Sequence, residues 1–259
     1  MGMDGTAVNT GVHNGVIRIV EQELEEVVQH IICLLHLNEL PFRHEFCEVD
    51  GVTSGPDAFK GNIGKDVAKD VWKDPIVNFP TVKGKMPILS EEQVKDTSRD
   101  QCLVYHLGHA LQSGFVPDKI AGATIGPILH ARWLNLVAHI LRKGLSTKKP
   151  SKALSRLLFM ILNFYLPVWF RIQNNPHCQS GALHFYYMLE LSKELGIKSQ
   201  EVTHKVFKAI HTGLNRKTSS LPVWLTQTRK FGQRVLTTFW RPEKTLTPRV
   251  TPGSSSRQI

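Results

Sequence analysis

The sequence lacks the short motifs that announce common chemistries. It has no HExxH, no GxSxG elbow, no P-loop and no GxGxxG. Zinc proteases, α/β-hydrolases, P-loop nucleotide enzymes and dinucleotide-binding enzymes therefore have no local support here. Cysteine is scarce: Cys33, Cys47, Cys102 and Cys178 form no CxxC pair, and four in 259 residues do not make the disulfide framework of a small secreted domain. The opening Met-Gly-Met-Asp-Gly-Thr lacks an apolar signal core, so the expectation is an intracellular protein of nucleus or cytoplasm, neither secreted nor membrane-bound. Long apolar runs are also missing. The best, Leu157–Phe170, has 14 residues and contains Asn163 and Pro167, short of the about 20 that a span needs. It is expected to be a buried core helix that Pro167 kinks or ends. No internal repeat occurs, and no run of strands follows residue 90, which excludes a complete doubly wound sheet. What remains, at 41% hydrophobic and 21% charged, is ordinary globular composition.

The net charge of +10 is unevenly placed. Residues 214–259 hold nine Lys or Arg against one acid, Glu243, a balance of +8 that leaves +2 for the other 213 residues. The same segment is rich in Ser, Thr and Pro, and reads as a disordered basic tail. Arg229, Lys230 and Arg234 in it are candidate phosphate contacts for DNA or RNA, and a solvated extension is the plainer alternative.

Along the chain, Val16, Ile17, Ile19, Val20, Leu24, Val27 and Val28 recur at helical spacing between glutamates, predicting an amphipathic helix over 15–29. The run Ile31–Leu35 reads as a short buried strand. Residues 48–63 are dense in Gly, Pro, Asp and Ser and read as loop. Beyond them the pattern is helical. Ser90 with Gln93 forms a capping box. Helices are predicted over 101–113 with Gly114 as stop, 128–145, from near Pro150 to about Arg171, 181–195 and 200–211. The fold class is therefore mainly α: a small α/β piece, then a helical bundle, then the tail.

Several constellations are candidates for chemistry. Cys33-x2-His36 and His44-x2-Cys47 place two Cys and two His within 15 residues, a candidate zinc set. A buried Cys33 and a hydrogen-bonded His36 are the structural alternative. Asp4, Asp50 and Asp57 are candidate Mg2+ carboxylates, although Asp-Gly pairs are common in turns. In His130-Ala131-Arg132-Trp133, Arg132 is a candidate nucleic-acid contact and Trp133 a stacking platform, while the periodicity favours Trp133 in the core. His106 and His109 share a helix face, with no carboxylate at metal-ligand spacing.

The stretch Asp4–Gly11, the helix GVIRIVEQELEE, then ICLLHLNELPFRH, DGVTSGPDAFKGNIGK, Asp100-Gln101, HARWLNLVAHILR and the PS…FYLPVWF helix together resemble a transposon-derived protein family abundant in arthropod genomes. The resemblance covers about residues 1–212. The order of landmarks is also distantly similar to hAT-type transposases, whose ribonuclease-H-like domain is interrupted by a helical insertion. In that resemblance Asp4 is the vestigial second aspartate of a D-D-E set, with Asn9 after it, then Cys33 and His36, then Arg132-Trp133 opening a helix. The strand bearing the first aspartate would precede residue 1, and the late glutamate region is absent. One carboxylate of three does not hold two Mg2+ ions, so the resemblance implies no catalysis and no obligatory cofactor, with Mg2+ or Zn2+ the only candidates. It implies a degenerate remnant that keeps a protein-interaction surface. Nucleic-acid binding through the tail and Arg132 is the alternative, and a metal-dependent DNA-processing enzyme is a third reading. Unpaired edges of a truncated sheet would favour self-association.

The family continues past residue 212 with a Pro-Glu-Asn-containing helix. Reading permitted codons of Leu214–Trp240 one base earlier can restore such a helix, which predicts a frameshift near residue 213. The expected organisation is a partial ribonuclease-H-like α/β segment over 1–47, a loop-rich connection over 48–89, a helical, insertion-like domain over 90–212 and the basic tail over 213–259.

Overall fold

The computed structural model describes residues 2–3, 8, 13–26, 31–53, 58–69, 71–128, 133–175 and 181–195. Within them the protein is mainly helical, as the periodicity implies. Asp4, Asp57, Arg132, the predicted helix over 200–211 and the whole of the tail, with Arg229, Lys230 and Arg234, lie outside the described residues.

The N-terminal part is a small βαβ unit. Strand β1 (Gly2–Met3) pairs in parallel with β2 (Ile31–Ile32), Gly2 opposite Ile31 and Met3 opposite Ile32. Helix α1 (Val16–Leu24) lies between them in sequence, as a parallel pairing requires a crossover. It ends where Glu25 turns left-handed, at φ 52°.

The predicted strand over 31–35 is cut short. Helix α2 (Leu34–Asp50) starts immediately after β2, with Cys33 as its N-cap residue, and runs through Pro41. That proline removes one N–H and leaves the Leu37 carbonyl without its helical donor. α2 crosses the boundary drawn at residue 47, and its Phe42 and Phe46 are fully buried in the same core as the later helices. Segment 34–50 thus packs with the helical body.

At the end of α2, the Asp50 carboxylate accepts hydrogen bonds from the N–H groups of Ile63 (2.9 Å) and Gly64 (2.6 Å), capping α3 (Asn62–Val67). Gly61 is required there: a Cβ would sit 1.8 Å from the Asp50 carbonyl oxygen. The connection predicted as loop-rich therefore carries a helix and a 3-10 turn (Val71–Lys73).

Both capping boxes that follow are complete. Ser90 and Gln93 open α4 (Glu91–Lys95), as the sequence predicts, and Ser98 with Gln101 opens α5 (Arg99–Ser113). Gly114 stops α5 at φ 77°. The short α6 (Asp118–Ala121) leads to α7 (Trp133–Leu145), then α8 (Lys152–Asn174) and α9 (Gly181–Glu194). α5 and α7 form the most extensive helix pair, and α8 packs on α7 and α2. By length and composition alone α8 could cross a membrane, but most of it is buried inside the protein, so it serves as the central core helix.

Pro167 neither ends nor breaks α8. The helix widens to a π-turn over Ile161–Tyr165, where the Leu166 N–H donates to Ile161 O, five residues back. In that register Leu162 O would receive the N–H of residue 167, which proline lacks. The Lys85 N–H fills the place at 2.9 Å.

Lys85 belongs to an extended strap, residues 75–90, that crosses the helix ends. Val77 N–H donates to Leu145 O (3.1 Å) and Val82 N–H to Leu111 O (2.9 Å), satisfying carbonyls in the last turns of α7 and α5. Side chains hold the rest: Asn163 Nδ2 donates to Lys83 O (2.8 Å), Gln112 Nε2 to Gly84 O (2.7 Å), and the Tyr105 hydroxyl accepts from the Leu89 N–H (3.1 Å).

Candidate functional site

The proposed zinc set does not assemble. Cys33, His36, His44 and Cys47 lie along one continuous helix and its N-cap. At 1.5 Å per residue, Cys33 and Cys47 are about 21 Å apart, and His36 and His44 about 12 Å. Zinc ligands must all lie within about 2.3 Å of one ion. Cys33 and His44 are exposed, Cys47 is half-buried, and His36 Nδ1 stands 3.7 Å from Glu39 Oε2. Among the described residues no three His, Cys, Asp or Glu are grouped to hold a metal ion. Asp50, a candidate Mg2+ carboxylate, is the cap of α3.

Trp133 is a packing residue, as its periodicity implies. Its ring meets Phe42 edge-on at 5.9 Å and Phe46 at 6.2 Å, with the Arg43 guanidinium 5.8 Å from its centroid. The histidines fasten loops: His109 Nε2 bonds Pro87 O (3.1 Å), His139 Nε2 bonds Gly126 O (2.9 Å), and His184 Nε2 bonds Asn175 O (2.9 Å). Burial, with His109 and Lys119 nearby, lowers the pKa of His106. The buried Arg142 has the same fastening role, its Nη2 donating to Trp72 O (3.2 Å) and Asp74 O (2.7 Å).

One cleft among the described residues was not singled out in the sequence. A cleft of about 400 Å3 opens where α2, α5, α7 and α8 meet. α2 contributes Leu35 and Glu39. The start of α5 supplies Ser98, Asp100 and Gln101. α7 adds Leu134 and Asn135, and α8 adds Trp169. Ser98 and Gln101 are engaged in capping, which fixes the Asp100 backbone between them. Asn135 is 5% exposed and its Nδ2 donates to Pro127 O at 2.9 Å.

Glu39 is the unusual group. Burial raises its pKa from the ordinary 4.5 to about 7. Beside it the Tyr165 hydroxyl is buried, has no hydrogen-bond partner among the described residues, and is pushed up by burial and then by the Glu39 charge. One residue earlier in α2, the Asn38 Nδ2 donates to Tyr165 O at 3.0 Å, tying α2 to the π-turn of α8. A half-protonated carboxyl in a cleft can exchange a proton or receive a cation near neutral pH. The sequence signal for it is faint: Glu39 is one acid in an apolar helix, three residues after His36.

No family model, curated protein or solved structure matches this chain.

Proposed function

We propose that the chain is a transposon-derived, non-catalytic protein-interaction module, with an N-terminal segment of ribonuclease-H-like ancestry. The observation that carries this reading is the apolar face of α1, which is uncovered among the described residues. Val16, Ile19 and Leu24 are 39%, 49% and 59% exposed, and the one buried apolar side chain of the helix, Ile17, stands outside the main core cluster. An amphipathic helix beside a two-residue parallel pair is half of a layer, and such surfaces are normally covered by further sheet. The partner of this reading is a polypeptide, either another protein or a second copy, that adds to the β1–β2 edges.

Light scattering of the full chain tests it. Association that Ile19→Glu with Leu24→Lys reduces to monomer supports a second copy as the partner, and a cooperatively melting monomer at high concentration removes the second copy and leaves only another protein. Incubation with duplex DNA and Mn2+ or Mg2+ tests the non-catalytic part. Cleavage that Asp4→Ala abolishes would refute it.

A second reading, nucleic-acid binding through the basic tail and Arg132, rests on the +8 balance of residues 214–259. It requires DNA affinity that falls steeply with salt and is lost on deleting 214–259. Sequencing the transcript across codons 205–245 decides whether that charge belongs to the protein.

A further inference from the structure

We infer that Ser151 is a phosphorylation site for a protein kinase with an acidic peptide groove, and that its phosphate lies among Lys148, Lys149 and Lys152 at the start of α8. This goes beyond the interaction module proposed above and concerns a different surface.

The first support is charge. No acid occurs between Asp118 and Glu190, an interval that holds nine Lys or Arg. Several of these cations are engaged by the fold. Arg142 is buried against backbone carbonyls, Lys143 reaches Asp66 at 3.4 Å, Arg156 pairs with Glu45 and Glu48, and Arg171 lies 4.4 Å over the Tyr187 ring. Lys148, Lys149 and Lys152 differ. All three are exposed, and among the described residues none is paired with an acid. Three free lysines in five residues make a target for carboxylates on another protein.

The second support is the placement of Ser151. It is exposed and extended, at φ −61° and ψ 159°, and follows Lys148 by three positions and Lys149 by two. Among the described serines and threonines no other has Lys or Arg at both of those positions. The loop from α7 is pinned at its front, where the hydroxyls of Ser146 and Thr147 donate to Lys143 O at 3.1 and 2.6 Å. Lys148, Lys149 and Pro150 then make no backbone–backbone hydrogen bond among the described residues. A groove can therefore take this stretch by releasing one helix turn: the Ser151 Oγ cap on the Leu154 N–H (3.1 Å) and the bond from the Ser155 N–H to Ser151 O (2.9 Å).

The reaction is phosphoryl transfer from ATP supplied with the kinase. The Ser151 Oγ attacks the γ-phosphorus, the bond from that phosphorus to the bridging oxygen breaks, ADP leaves, and the hydroxyl proton passes to the base of the kinase. The product places a near-dianion at the positive end of the 23-residue helix α8, beside three unpaired ammonium groups. Both effects favour the modified state, and the local charge of the three lysines falls from +3 to about +1.

The experiment is incubation of the full chain with Mg-ATP and the catalytic subunit of the cyclic-AMP-dependent protein kinase, with the site read by peptide mass mapping. The expected result is near-stoichiometric phosphate on Ser151, absent in Ser151→Ala. Lys148→Glu with Lys149→Glu should lower the initial rate at Ser151 at least about tenfold, since the reversed charges repel the groove. Melting curves of these variants show that they are folded. The phosphorylated chain should melt about 2 °C or more above the unmodified one, a gain that shrinks in about 0.5 M salt. Phosphate confined to Ser219, which follows Arg216-Lys217 in the tail, overturns the inference, as does a rate at Ser151 indifferent to the charge reversal. A lowered melting temperature overturns the placement of the phosphate among the lysines. Whether α1 associates bears on none of these outcomes.

Discussion

The βαβ unit and the helical body obey opposite rules of burial. α1 has a clean amphipathic pattern and leaves Val16, Ile19 and Leu24 largely exposed. α2 has a weak pattern, interrupted by Pro41, and buries Phe42 and Phe46 completely. Periodicity states which face of a helix wants cover; it does not state whether the same chain provides it. Cover is provided from residue 34 onward, where one core joins α2 to α9, and it is not provided for α1 among the described residues.

The largest test of that difference is Phe42→Ala. Removing a fully buried ring that touches Trp133 and Tyr165 should cost about 3–5 kcal/mol, read by denaturant unfolding. A cost below about 1 kcal/mol would mean that α2 is not part of the core.

The next effect is on pH. Because the folded state raises the pKa of Glu39 from 4.5 to about 7, the folded state binds its proton more tightly than the unfolded chain. Its contribution is intact below pH 4.5 and is lost as pH rises through about 7. Glu39→Gln should therefore match the native chain in stability near pH 4 and exceed it at pH 8 by roughly 3 kcal/mol. Equal stability of the two proteins at pH 8 would show that the carboxyl is well solvated.

Ser98→Ala is smaller. It removes the acceptor for the Gln101 N–H at the start of α5 and should cost about 1 kcal/mol. Smallest is Ile19→Ala in α1, expected within about 0.5 kcal/mol in the isolated chain, because the side chain is already half in solvent. If that substitution costs as much as Phe42→Ala, α1 is covered and the contrast fails.

Features set by local sequence were legible. The Ser90–Gln93 box, the stop at Gly114, and the buried helix around Leu157–Phe170 all follow from residues within a few positions of one another. α2 was not legible. Its apolar start resembles a strand and a proline, Pro41, falls inside it, whereas burial against α8 accompanies the helix across the proline. Pro167 misleads in the same direction, because the π-turn and the Lys85 N–H together absorb its missing donor. The Cys/His set shows the converse error. Spacing that looks suitable for a metal in a loop becomes two distant pairs once the segment is a helix. Glu39 was not picked out, since the residues that line the cleft with it, Ser98, Asp100, Gln101, Leu134, Asn135 and Trp169, come from distant parts of the chain.

The strap over 75–90 has a consequence for the order of events in folding. Its hydrogen-bond partners sit on three separate helices, at Leu111, Leu145 and Leu162, and it has no regular structure of its own to form early. Its contacts exist only after α5, α7 and α8 have met. They therefore belong to the native side of the rate-limiting barrier, where an interaction governs how slowly the protein comes apart and leaves the speed of assembly alone. Asn163→Ala, which frees Lys83 O, should steepen nothing in the refolding arm of a chevron and raise the unfolding rate several-fold. On this account the strap is a latch: proteolytic lifetime, more than the choice of fold, is what residues 75–90 control.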